Sequence, residues 1–153
     1  MIQNAEDSPP VEILLVEDNP GDHRLTKEAL HEGKVYNNLH WAQDGVEAID
    51  FLKRRGKHKD APRPGIVLLD LNMPRKDGRE ALREIKEDPE LRTIPIVVLT
   101  TSREEEDILR TYGLGASSYI QKPVGFDSLV RIVEALGNYW FQVVELPREG
   151  SGR

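Results

Sequence analysis

Three short apolar runs constrain this chain more than any other feature: Val11 to Val16, Ile66 to Leu69 and Ile96 to Leu99. Each carries apolar residues at consecutive positions, the first broken only by Glu12, so both faces of an extended segment would avoid water. None is long enough for a helix. Each stops at polar or turn-forming residues: Asp18-Asn19-Pro20-Gly21, Asp70 and Thr100. A strand apolar on both faces must be covered on both, which is the situation of a central strand in a parallel sheet with helices on either side.

The intervening segments supply those helices. Asp22 to Glu32 places Leu25, Ala29 and Leu30 on one face, and Asp44 to Arg55 does the same with Val46, Ala48, Ile49 and Leu52. Gly78 to Glu87 carries Ala81, Leu82 and Ile85 and ends before Asp88-Pro89. Arg103 to Tyr112 opens on Glu104, Glu105 and Glu106, where the helix dipole favours negative charge. Weaker strands fit Asn38 to Ala42 and Ser117 to Gln121. Strands and helices alternate five times, which predicts an α/β domain built on a doubly wound, five-stranded parallel sheet. Residues 1–10 hold two prolines and no periodicity, and are expected to form a disordered arm.

Composition agrees and excludes other classes. Of 153 residues, 38% are hydrophobic and 31% charged, the balance of a water-soluble globular domain. No apolar run approaches the roughly 18 residues of a membrane span, and no signal-peptide pattern opens the chain. Cysteine is absent, which removes disulfides, thiolate metal sites and cysteine nucleophiles, and permits a cytoplasmic location. The net charge of -6 argues against nucleic-acid binding through the general surface.

In open parallel sheets ligands bind beyond the carboxyl ends of the strands. The residues at those ends are Glu17 and Asp18, then Asp70, then Thr100 and Thr101, then Lys122-Pro123. Each has an ordinary explanation alone: Glu17-Asp18 as a helix cap, Asp70 as a turn residue, Thr100 as a strand residue, Lys122 as a solvated charge. If the four strands are neighbours, however, one rim gathers three carboxylates, a hydroxyl and an ammonium. Three like charges there repel unless a cation joins them. Mg²⁺ suits oxygen ligands of this kind, and a carboxylate pair holding it would leave Asp70 aimed as a nucleophile at phosphorus. Lys122 and Thr100 would then stabilise phosphoryl oxygens, and the product would be an acyl phosphate on Asp70.

These segments, ILLVED, LLDLNMPRKDG, PIVVLTTS and SYIQKP in this order, resemble the receiver domain of two-component response regulators, the CheY-like proteins. The resemblance spans residues 11–136. It implies a flavodoxin-like fold of strand order 2-1-3-4-5, with Asp70 as phosphoacceptor and Glu17, Asp18, Asp70 and the Asn72 backbone carbonyl as Mg²⁺ ligands. It implies phosphoryl contacts from Thr100 and Lys122, with Thr100 and the aromatic Tyr119 as the switch pair. Glu17 stands where the family more often has Asp. A sensor histidine kinase would donate the phosphoryl group, and the receiver would catalyse its own phosphorylation and dephosphorylation without being an enzyme in the usual sense.

A last helical pattern begins near Phe126-Asp127 and runs on toward Glu145, with Leu129, Ile132, Val133, Leu136, Tyr139, Trp140 and Val143 on one stripe. Its second half is costly to expose, since burying each large side chain contributes about 1.5–3 kcal/mol. It either folds back on its own domain or forms a symmetric dimer. The dimer interface would comprise Leu136, Tyr139, Trp140, Phe141, Val143 and Val144, making 137–153 an extended C-terminal helix and arm. The GNYWFQVVELP stretch resembles the extension of single-domain regulators partnered with bacterial phytochromes, which implies a phytochrome kinase as partner. The Lys53 to Pro64 connection suits that subgroup too, and its basic residues Lys53, Arg54, Arg55, Lys57 and Lys59 read as a solvated face. No helix-turn-helix follows, so output is expected through protein contacts rather than DNA or membrane.

Two other classes compete. An aspartate-nucleophile phosphatase would share Asp70, Mg²⁺ and a lysine, but such enzymes place a second Asp two residues on, where this chain has Asn72. A phosphorylation-independent scaffold dimer would keep the fold without needing Asp70 to react.

Overall fold

The computed structural model describes residues 10–32, 37–71, 78–100 and 118–121; for Glu32, Thr100 and 118–121 it describes the backbone. The elements in chain order are β1 (Val11–Val16), α1 (Pro20–Glu32), β2 (Asn37–Ala42), α2 (Gly45–Leu52), β3 (Ile66–Asp70), α3 (Gly78–Glu87), β4 (Ile96–Thr100) and β5 (Ser118–Gln121). The strands form one sheet in the order β2-β1-β3-β4-β5, and every neighbouring pair is parallel. The expected doubly wound sheet and its strand order are therefore present. The expected arm at 1–10 (apart from Pro10), the helix at 103–112 and the C-terminal helix and arm lie outside the described residues.

The continuous apolar runs become strands that serve two cores at once. Leu14 and Val16 of β1, Val67 and Leu69 of β3 and Ile96 and Val98 of β4 join Ala48, Ile49, Ala81, Leu82 and Ile85 of α2 and α3. Their alternates, Ile13, Leu15, Leu68, Val97 and Leu99, pack with Ala29 and Leu30 of α1 on the opposite face. The period of two in a strand sends successive side chains to opposite layers, so only an unbroken apolar run can fill both.

The helix boundaries depart from expectation in ways that have local causes. α1 begins at Pro20, two residues before the expected start, because the fixed φ of proline and its missing N–H suit a first helical position. The cap is Asn19, whose Oδ1 accepts from the Asp22 N–H at 3.1 Å. Leu25, expected on the buried face, is 44% exposed, and Thr26 takes that position with Ala29 and Leu30. A Thr26 hydroxyl bond to the Asp22 carbonyl at 2.9 Å makes its burial affordable. In α2, Val46 is only half-buried, and Phe51 supplies the missing core contact.

α2 also stops at Leu52 rather than reaching Arg55. Arg54 adopts φ +56, its N–H bonds the Phe51 carbonyl at 3.2 Å, and the Arg55 N–H bonds the Asp50 carbonyl at 2.8 Å. This pair of bonds is the Schellman arrangement, with arginine in the left-handed position glycine usually occupies. A 3-10 turn, Gly56–His58, follows on the way to β3. The five basic residues of this connection are exposed, with Lys57 3.3 Å from Glu47 and Arg55 3.9 Å from Asp50.

Candidate functional site

Parallel strands in this order bring the carboxyl ends of β1, β3, β4 and β5 side by side. Glu17 and Asp18 follow β1 directly, Asp70 is the last residue of β3, and Thr100 is the last of β4. The Thr100 backbone pairs in register with Gln121, the last residue of β5. Helix capping falls to Asn19 and does not consume Glu17 or Asp18.

Glu17, Asp18 and Asp70 each offer a carboxylate oxygen within 4.8 Å of the other two. Glu17 and Asp70 are each 1% exposed, whereas Asp18 faces solvent. Two buried carboxylates beside a third are costly in the absence of compensating positive charge. Hard oxygen donors converging at the end of a sheet are the donor set of a Mg²⁺- or Mn²⁺-type ion, and the exposed Asp18 gives it a route from solvent. Glu17, Asp18 and Asp70 therefore fit the expected cation. Asn72, Lys122 and the side chains of Thr100 and Tyr119 lie outside the described residues, as do Leu136, Tyr139, Trp140, Phe141, Val143 and Val144.

The backbone around the carboxylates is clamped. The Glu17 N–H donates to the Ala42 carbonyl at 3.0 Å, and the Glu17 side chain accepts from the Asn19 N–H at 3.3 Å. The Trp41 indole N–H donates to the Glu17 carbonyl at 2.6 Å. On the other side, the Leu71 N–H bonds the Leu99 carbonyl at 3.1 Å, and the Gly78 N–H bonds the Leu71 carbonyl at 3.0 Å. A Cβ on Gly78 would run into the Asp70 carbonyl oxygen. The Asp77-Gly78 pair reads in sequence as turn chemistry; the structure adds that the first turn of α3 rests on the backbone of Asp70.

Sequence reasoning missed two rings beside this clamp. The His23 imidazole of α1 stacks on the Trp41 indole of β2, with centroids 4.0 Å apart and planes 5° from parallel. Burial, and then the Lys27 charge, lower the His23 pKa, favouring the neutral ring. No motif spacing links residues 23 and 41; their contact exists only once β2 lies beside β1. Further along the same strands, the Glu12 carboxylate accepts from Asn38 at 2.9 Å and meets His40 Nε2 at 2.7 Å. Burial pushes the Glu12 carboxyl up, but the bonds from His40 and Asn38 outweigh it and leave its pKa below the ordinary 4.5.

A doubly wound parallel sheet with an acidic cluster at the carboxyl ends of its first and third strands defines the receiver class of signalling domains. The chain belongs to the response regulator receiver domain family, whose model matches residues 13–134. It is 43% identical over 142 residues to the response regulator Rcp1 of Synechocystis sp., covering 93% of this chain and 97% of that one. Among solved structures it resembles the phosphorylated cyanobacterial phytochrome response regulator RcpA, with TM-score 0.76 and 44% identity over 88% of this chain and 96% of that chain. A crystal structure of Mn²⁺-bound Rcp1 matches with TM-score 0.74 and 43% identity, covering 86% of this chain and 94% of that one. The bacteriophytochrome response regulator RtBRR matches with TM-score 0.77 and 39% identity, over 84% and 79% of the two chains. No described helix is long and apolar enough to cross a membrane.

Proposed function

We propose that this receiver is a phosphorylation switch acting downstream of a phytochrome histidine kinase, with Asp70 as the phosphoacceptor. The observation that carries this reading is the meeting of Glu17, Asp18 and Asp70 within 4.8 Å in a chain of the receiver family. Glu17, Asp18, Asp70 and the Asn72 carbonyl hold Mg²⁺, which when bound supplies the positive charge that three carboxylates and an incoming phosphoryl group require. An Asp70 carboxylate oxygen attacks phosphorus. A P–O bond to Asp70 forms as the P–N bond of the kinase phosphohistidine breaks, and the imidazole nitrogen keeps the electron pair. Lys122 neutralises one of the remaining phosphoryl oxygens and the Thr100 hydroxyl donates a hydrogen bond to another, and movement of Thr100 toward them lets Tyr119 turn inward as the readout.

The similarity to RcpA, Rcp1 and RtBRR supports the phytochrome assignment, since two of these are described as phytochrome regulators. The receiver comprises residues 11–136, and the segment 137–153 joins two copies into a homodimer. The protein works in the cytoplasm, where kinase and nucleotide meet, and signals by protein contact. It catalyses its own phosphorylation and hydrolysis only.

The test is intact mass after incubation with Mg²⁺ and a small acyl-phosphate donor. Wild type should gain one phosphoryl group, while Asp70→Asn and a metal-free sample should gain none. A beryllofluoride adduct covers the case of rapid hydrolysis. Absence of both adducts on wild type would reject the switch in favour of a phosphorylation-independent scaffold.

A further inference from the structure

The least expected contact near the acidic cluster is the bond from the Trp41 indole N–H to the Glu17 carbonyl, at 2.6 Å. Its position in the sheet explains its importance. The β1–β2 ladder ends at the pair Val16–Ala42, and Glu17 adds one more main-chain bond to Ala42. The indole adds a bond from a side chain to the carbonyl of the Glu17–Asp18 peptide. Both acidic residues that follow β1, Glu17 and Asp18, flank this one peptide.

The indole is itself held. His23 lies flat against it at 4.0 Å, and the His23 backbone N–H bonds the Asn19 carbonyl at 3.0 Å, the ordinary helical bond that holds residue 23 in the first turn of α1. Asn19 in turn donates to the Glu17 carboxylate. A closed circuit thus runs from Glu17 to Trp41, to His23, to Asn19 and back to Glu17. It joins an edge strand, a helix and the acidic pair, and the stacked pair His23–Trp41 is its side-chain link.

We propose that Trp41 is a positioning residue for the cation site, orienting the Glu17–Asp18 peptide through its indole N–H, with the His23 ring as the plate that holds the indole in place. This rests on the cation-binding role given to Glu17, Asp18 and Asp70 above. Groups that orient metal ligands from outside are typically worth ten- to a hundredfold in affinity, and a bond to the ligand's backbone belongs at the low end.

The experiment measures Mn²⁺ binding by calorimetry and the metal-free unfolding midpoint on the same full-length samples. Trp41→Phe keeps a ring for His23 to stack on but removes the donor; it should weaken Mn²⁺ binding about tenfold. His23→Phe keeps the plate and should bind within about twofold of wild type, while His23→Ala should fall between. Ile85→Val, a core change in α3 remote from the circuit, gives the effect of lost stability alone. Weakening in Trp41→Phe well beyond that in Ile85→Val supports the role. Equal weakening in the two, or wild-type affinity in Trp41→Phe whatever its midpoint, overturns it. If wild type binds no Mn²⁺, the cation-site reading fails and this role fails with it; the Trp41→Phe comparison alone leaves that reading intact.

Discussion

At the scale of single residues, Gly78 shows how a neighbouring element fixes the backbone of Asp70, the proposed phosphoacceptor. Its N–H bonds the Leu71 carbonyl, and an added Cβ would overlap the Asp70 carbonyl oxygen and come within 2.5 Å of the Leu71 Cα. The obstacle is main chain, which has no rotamer to yield. Gly78→Ala must therefore lift the start of α3 or push the end of β3, at a cost of about 1–3 kcal/mol for an overpacked site. Because the displaced backbone is that of Asp70, phosphorylation should suffer beyond the stability loss. We expect the rate of adduct formation from an acyl-phosphate donor to fall about tenfold at a temperature where the variant is still folded, since ångström-scale misplacement costs rate steeply. A variant that is destabilised yet phosphorylates at the wild-type rate would show that α3 moves and Asp70 does not.

At the scale of elements, the end of α2 is the clearest case of a boundary set against local preference. Arg54 occupies the left-handed position at φ +56, where a non-glycine residue costs about 1–2 kcal/mol. Its side chain returns part of this through a bond from Nε to the Ala61 carbonyl at 2.9 Å, an exposed contact worth less than the strain. Arg54→Gly should therefore stabilise the protein by about 0.5–1 kcal/mol, raising the thermal midpoint by about 1–4 °C in calorimetry. A lowered midpoint would mean that the Ala61 bond organises the whole connection to β3. The same helix shows what sequence could and could not disclose. Its apolar periodicity gave the element and most of its buried face, because burial of Ala48, Ile49 and Leu52 follows from helix geometry alone. Its end stayed hidden because no glycine marks the left-handed residue. The central strands were legible for the opposite reason: being buried on both faces, they leave no polar alternation to confuse. Glu17, Asp18 and Asp70 were legible because parallel strands necessarily gather their carboxyl ends. Trp41, His23 and Asn19 were not, since their roles depend on which strand lies at the edge and how α1 enters, facts that no short motif encodes.

At the scale of the whole molecule, the question is what surrounds the acidic cluster once it is charged. The cluster is assembled within one chain, from β1 and β3, so nothing in its chemistry requires a second copy. Dimerisation, proposed for residues 137–153, would then be separable from phosphorylation. The aromatic density of Tyr139-Trp140-Phe141 followed by Val143-Val144 is what motivates the dimer, because exposing such a stripe in water costs about 1.5–3 kcal/mol per large side chain. A symmetric pairing lets each copy cover the other's stripe with one patch, and two copies gain from every residue twice. The double substitution Tyr139→Ser with Trp140→Ser removes the two largest side chains while leaving the cluster untouched. On a sizing column with light scattering, wild type should elute with twice the chain mass and the double variant with the mass of a single chain. Both should take up one phosphoryl group per chain. A wild type that is monomeric would mean that the stripe folds onto its own receiver, and the substitutions should then lower the unfolding midpoint without changing the mass. A dimeric variant would move the interface off these residues altogether. The remaining possibility, a monomeric variant that no longer phosphorylates, would tie the two properties together and make assembly a condition for the chemistry at Asp70.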